Sequence, residues 1–233
     1  MPETAPSSGN RSAYFIVSYV AVVLLIDALA TNRVHWDLDL GVVQWSIEWR
    51  NFMWRHDDQF DSFKFVLWLV VPFAYSLGSG MDWGYFGFGR WKKNDLLLLA
   101  GLIVLGGLAV GAIAFIPALR EYYPSQRALS WHSKNKLLYM QLMWNLSWLP
   151  GWEFLHRYFL LNAVQSRWPR FGWVLVPVAE GLYHLQKHWT EMLAMVAASV
   201  FFTQWTMRRK NLMLPFIVHA AVELGLAAFR ILV

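Results

Sequence analysis

Apolar residues along this chain gather into long runs separated by short clusters of charge. A helix that crosses a hydrocarbon layer of about 30 Å needs about 20 mostly apolar residues. Runs of that order predict about seven spans, at 13–30, 62–77, 96–119, about 137–163, about 171–188, 191–205 and 212–232. The run "LLLLAGLIVLGGLAVGAIAFIPAL" at 96–119 carries no charge and is the plainest of them. Between the first two runs, residues 31–61 interleave tryptophans with charges, which predicts an amphipathic helix lying in the membrane interface. The polar, Ser/Pro-rich segment 1–12 lacks the form of a cleavable signal, so the first helix is expected to stay as an anchor. The expected organisation is a short polar tail (1–12) followed by a single all-α, multi-pass transmembrane domain (13–233).

Composition strengthens this reading: 57% of residues are hydrophobic, 17% aromatic and only 15% charged, and 15 are tryptophan. The absence of cysteine excludes disulfides, thiolate metal sites and a cysteine nucleophile. A formal net charge of +5 does not imply nucleic acid as a partner, because the bases sit in short loops such as 90–95, 165–170 and 208–210. In a membrane protein those loops are accounted for by the positive-inside bias and by contact with anionic lipid. They share one face of a seven-span chain, which puts the N-terminus in the cytoplasm of what is expected to be a bacterial cell membrane. The basic segment 120–136 falls on the opposite face and weakens that bias.

The acidic residues change the picture most. After Glu121 only four occur, Glu153, Glu180, Glu191 and Glu223, and all lie within or at the ends of predicted spans. An ionisable group at mid-bilayer costs roughly 2.5–3.5 kcal/mol on insertion scales, so such groups usually face a partner, a cavity or a site. Helical spacing groups them into three polar stripes. Glu153 shares a face with His156 and Arg157; Glu180, His184, His188 and Glu191 form a second stripe; His219 and Glu223 form the third. Each stripe has a structural reading as well: Glu153 and Arg157 can be a self-neutralising i, i+4 pair, His188 beside Trp189 an interfacial residue, and Asp27 a partner for another helix. Three converging stripes from the fourth, fifth and seventh spans predict one polar cavity under an apolar roof.

The order Glu-x-x-x-Arg in "WEFLHR", a histidine-bearing helix in "HLQKHWTE" and a last span reading "PFIVHAAVE" resembles the CPBP (CAAX processing and bacteriocin processing) intramembrane proteases, the group that includes the type II CAAX prenyl endopeptidases. The resemblance covers about residues 80–233. It places Glu153 and Arg157 on the Glu-Glu-x-x-x-Arg motif, His184 on Phe-x-x-x-His, and His219 with Glu223 on His-x-x-x-Asn/Asp. The chain departs from the pattern at Trp152, where the first glutamate is expected, at Glu180 in the Phe position, at Tyr158 and at Glu223.

The activity implied is hydrolysis of a peptide bond in a membrane-associated polypeptide, prenylated or leader-bearing. Glu153 would serve as base, His184 would share that role or orient the water, and His219 would stabilise the oxyanion. Glu223 would orient His219 or bind a metal, and Glu153, His184, His219 and Glu223 together form a set of the kind that holds Zn²⁺. Two other classes fit the same residues. One is a His/carboxylate metal oxidase, since Glu-x-x-His at 153–156 is a spacing that diiron proteins use; the other is a non-catalytic membrane chaperone or immunity-type protein on the same scaffold.

Overall fold

The computed structural model describes residues 8–30, 59–81, 83–86 and 91–232. Most of the interfacial segment expected at 31–61 lies outside the described residues, as does part of the Gly-rich and basic stretch before the third run. The described residues form helices and no β-strand. In chain order these are α1 (Ser8–Ala30), α2 (Ser62–Ser79), α3 (Lys93–Phe115), α4 (Pro117–Tyr122), α5 (131–167), α6 (Leu175–Tyr183), α7 (Trp189–Arg209) and α8 (Met213–Leu232).

Among the described residues, three helices are long and apolar enough to cross a membrane: α2, α3 and α8, with a shorter apolar stretch at Ser12–Ala28 in α1. On α3, Leu97, Val104, Leu105 and Leu108 are all exposed, as expected of a face turned toward lipid. The remaining helices are less apolar because they carry the ionisable residues.

Local chemistry sets the ends of the elements. The Asp61 carboxylate accepts from Lys64 N–H and starts α2, and Gly80 in the left-handed conformation ends it. Pro117 sits in the first turn of α4, so the run expected at 96–119 is two helices, broken at Ile116. The Asn211 side chain accepts from Met213 and Leu214 N–H at the start of α8.

The second predicted stripe is also divided. α6 gives way to a 3₁₀ turn at His184–Gln186, Lys187 is extended, and the His188 side chain caps α7. Glu180 and His184 thus belong to one helix end, whereas His188 and Glu191 belong to the beginning of the next. Periodicity of four, four and three did not reveal the break because a capping histidine falls on the same count as a helical one.

α5 lies at the centre of the bundle, and residues 151–161 are buried on every side. It contains a π-helical turn at Leu155–Leu160, and α2 contains another at Phe65–Val70. Such turns insert one extra residue per turn and are frequent at functional sites. The two helices meet at Gly151, where an added Cβ would lie 2.8 Å from Trp68 Cβ and 3.1 Å from its backbone carbonyl carbon. Only a glycine fits there. Trp68 and Trp152 then pack with ring centroids 5.5 Å apart.

Candidate active site

The site is built on the π turn of α5. Glu153, His156 and Arg157, spaced i, i+3 and i+4 on one face, are all fully buried. α8 brings His219 against them, and its Nδ1 lies 2.7 Å from Glu153 Oε1. α6 brings Glu180, which meets Arg157 in a two-armed fork: Nη1 donates to Oε1 at 2.6 Å and Nη2 to Oε2 at 3.0 Å. Planar guanidinium and carboxylate groups match in this arrangement, and it is the strongest form of the pair.

The expected i, i+4 pair is present but secondary. Arg157 Nη1 lies 3.0 Å from Glu153 Oε2, an ion-pair contact. That oxygen is nevertheless buried without an aligned hydrogen bond. Glu153 therefore has one oxygen committed to His219 and another with an open lone pair. An unpaired acceptor of this kind is costly in an apolar interior, and a water or a substrate group is the natural occupant.

The other predicted residues are placed as follows. His156 donates from Nδ1 to the Trp152 carbonyl at 2.9 Å, and its ring lies against the Trp152 ring at 4.1 Å. His184 donates from Nδ1 to the Glu180 carbonyl at 2.8 Å, which leaves Nε2 as an acceptor. Its ring meets the edge of Trp152 at 5.5 Å. Trp152 thus contacts both histidines, in the position where the resemblance leads one to expect a carboxylate. The carboxylate appears instead at Glu180, where an aromatic residue is expected.

His184 makes no hydrogen bond or ion pair to Glu153 or His219 among the described residues. Glu223 lies one turn beyond His219 on α8. Among the described residues no group of three or more His, Asp or Glu side chains is arranged to hold a metal ion. The four residues suggested for Zn²⁺ are not gathered into such a group among the described residues.

Glu191 and His188 sit at the start of α7. The Tyr123 hydroxyl donates to the Glu191 carboxylate, and Lys187 Nζ lies 3.2 Å from it. Burial and the neighbouring charges of Glu191 and Glu223 push the Tyr123 phenol well above its ordinary value. His188 Nδ1 lies 2.7 Å from Thr190 Oγ1, within its own cap. Both residues organise the chain at one end of the bundle and neither reaches the Glu153 centre.

Asp27, expected to pair with another helix, belongs to a second buried polar group beside the first, whose other members sequence reasoning missed. Lys64 on α2 lies 3.3 Å from Asp27 on α1, and the Tyr183 hydroxyl on α6 donates to Asp27 at 2.6 Å. The Lys64 ammonium also lies 4.7 Å above the rings of both Trp68 and Trp144. A lysine inside the run "SFKFVLWLVV" was the available signal, since a charge at that position must find a partner. The cluster ties α1 and α2 to Tyr183, the residue before His184.

These features define an all-helical membrane bundle with an ionic site in its interior, built by α5, α6 and α8. Residues 135–225 match the family model described as type II CAAX prenyl endopeptidase Rce1-like, so this segment of the chain is similar to that family. The matched segment is narrower than the resemblance at about 80–233, and it contains Glu153, Arg157, Glu180, His184, His219 and Glu223. No curated protein and no solved structure gives a match. At the general level the family implies protease activity on membrane-associated polypeptides.

Proposed function

We propose that the protein is an intramembrane endopeptidase in which Glu153 activates the water that attacks the peptide bond. The observation that carries this reading is the state of the Glu153 carboxylate. One oxygen is held by His219 at 2.7 Å, and the other is buried with no aligned donor. A base needs an oriented carboxylate with a free lone pair, and a water in that place would have it.

The reaction balances on these groups. Glu153 Oε2 takes a proton as the water oxygen bonds to the carbonyl carbon, and the carbonyl oxygen takes the negative charge. The carbon–nitrogen bond then breaks, and the proton on Glu153 passes to the leaving amine. His219 donates from Nδ1 to Glu153, and in its doubly protonated form it also offers Nε2–H to the oxyanion. His184 presents only the Nε2 lone pair in the tautomer its backbone bond selects, so it fits the orientation of water better than the stabilisation of an oxyanion. Glu223 on α8 would help to orient His219.

The substrate class is a membrane-associated polypeptide, prenylated or leader-bearing, that enters between helices from the lipid. In support of that route, a groove of about 390 Å³ lies between α6 and α7, lined by apolar side chains that include Pro177, Leu182, Leu185 and Val196. Gly181 lines it directly after Glu180, so the groove is one residue from the site. The seven-span arrangement with a cytoplasmic N-terminus, in a bacterial cell membrane, is part of the proposal. Asp95 bonding to Arg209 at one end of the bundle and Tyr123 bonding to Glu191 at the other support only that α3 and α7 run its length in opposite directions.

The test is to reconstitute the purified protein with a fluorogenic peptide ending in a prenylated CAAX sequence, and to compare the membrane polypeptides of wild-type and deletion strains. A peptide that is cleaved, with uncleaved precursors accumulating in the deletion strain, supports the reading. Binding of such a peptide without turnover would favour the non-catalytic alternative.

A further inference from the structure

Arg157 carries one guanidinium between two carboxylates, and the two contacts differ in kind. Both terminal nitrogens are aligned on Glu180, at 2.6 and 3.0 Å. Only Nη1 approaches Glu153, at 3.0 Å and without alignment. With both terminal nitrogens aligned on Glu180, the remaining N–H groups of Arg157, the unpartnered Nε among them, make no aligned bond to Glu153. Glu180 therefore sets the direction in which Arg157 points.

The consequence falls on Glu153. If Glu180 lost its charge, the nearest remaining anion for Arg157 would be Glu153, one turn away on the same helix. All of these groups are buried, so the guanidinium cannot turn to solvent instead. Its two arms would close on Glu153 and occupy the oxygen that is now open. Glu180 also fixes the second histidine from the same residue, since its backbone carbonyl accepts from His184 Nδ1. His156 Nδ1 lies 3.9 Å from Glu180 Oε1, too far to compete with the fork.

We propose that Glu180 is a positioning residue that holds Arg157 along α6 and so keeps one oxygen of Glu153 open for water. This rests on the reading of Glu153 as the base. Glu180 never touches the reacting atoms; it acts through Arg157. The long-range fork outcompetes the local pair in alignment, which explains why a site with two carboxylates and one guanidinium still leaves an acceptor without an aligned donor.

The test combines kinetics with structure in the full-length protein, using the fluorogenic prenylated peptide as substrate. Glu180→Gln keeps the size of the side chain and one acceptor oxygen. It is expected to lower kcat by about a hundredfold with KM changed by less than about twofold, as for loss of a general base. Adding Arg157→Gln removes the group that blocks Glu153, so the double variant is expected to be roughly tenfold more active than Glu180→Gln alone. A purely structural Glu180 would make the double variant as inactive as the single one or more so, and that result overturns the proposal. A structure of Glu180→Gln should show both arms of Arg157 on Glu153. Arg157 still directed to residue 180, with the Glu153 oxygen open, overturns it as well. This second measurement does not depend on turnover, so a wild-type protein that fails to cleave the peptide would remove the peptidase reading and leave the role of Glu180 tested separately. If Glu180→Gln does not accumulate, Glu180→Met, which also removes the charge at similar size, is read in the same two ways.

Discussion

His219 and Glu153 are 66 positions apart in the chain and 2.7 Å apart in space, on helices α8 and α5. The bond commits one carboxylate oxygen and leaves the other without an aligned donor. A histidine at this place is worth more to the site than one at His184, which bonds a backbone carbonyl.

The two histidines should therefore separate on substitution. His219→Ala removes the group that orients Glu153 and is expected to lower kcat by roughly a hundredfold or more. His184→Ala should cost distinctly less, because among the described residues its side chain bonds the Glu180 carbonyl and not Glu153. Steady-state kinetics on protein reconstituted in lipid reads the difference. Equal losses would place His184 in the reacting shell.

His188 carries a different role, as the cap of α7. Loss of a cap costs about 0.5–2 kcal/mol, so His188→Ala should lower the melting temperature and leave kcat nearly unchanged. His188→Asn should recover the stability. Thermal unfolding in detergent, measured beside activity, checks both halves.

Lys64→Leu leaves the Asp27 carboxylate buried without its ammonium. Removing one partner of a buried pair costs about 3–5 kcal/mol, whereas replacing both by apolar residues is close to neutral. The double variant Asp27→Leu with Lys64→Leu is accordingly expected to be more stable than Lys64→Leu. A double variant less stable than the single one would contradict the assigned pairing.

The helices were legible in the sequence, because long apolar runs and their polar interruptions follow from bilayer thickness and from the cost of burying charge. Glu153 and Arg157 were legible as neighbours for the same reason that any residues four apart on a helix are. The true partner of Arg157 was not. Glu180 lies 23 positions away, and the choice between two carboxylates is decided by which one meets the fork squarely. A linear stripe also concealed the break after Tyr183, since the capping His188 falls in register with His184. Lys64, hidden in an apolar run, had a signal but no visible partner until α1 and α2 were packed together.

The pH dependence of stability should carry a signature of Tyr123. Its phenol is pushed up by burial and by the nearby carboxylates, so the folded state holds the proton more tightly than the unfolded state. That stabilisation is fully present below the ordinary phenol value of about 10 and is lost as pH rises beyond it. Tyr123→Phe has no such proton to lose. Melting temperatures from pH 8 upward are expected to fall more steeply for the wild type than for Tyr123→Phe, after the acid-side difference from the lost Glu191 bond is subtracted; parallel curves would contradict the burial of this hydroxyl.

The central claim is that Glu153 is the base of a peptide hydrolase, and Glu153→Gln tests it most directly. The substitution preserves size and polarity and removes the capacity to take a proton, together with the charge that faces Arg157 and His219. Turnover of the fluorogenic prenylated peptide by reconstituted protein should fall by roughly 10²–10⁴-fold while the variant still accumulates in the membrane and still binds the peptide. Wild-type turnover in Glu153→Gln would contradict the account.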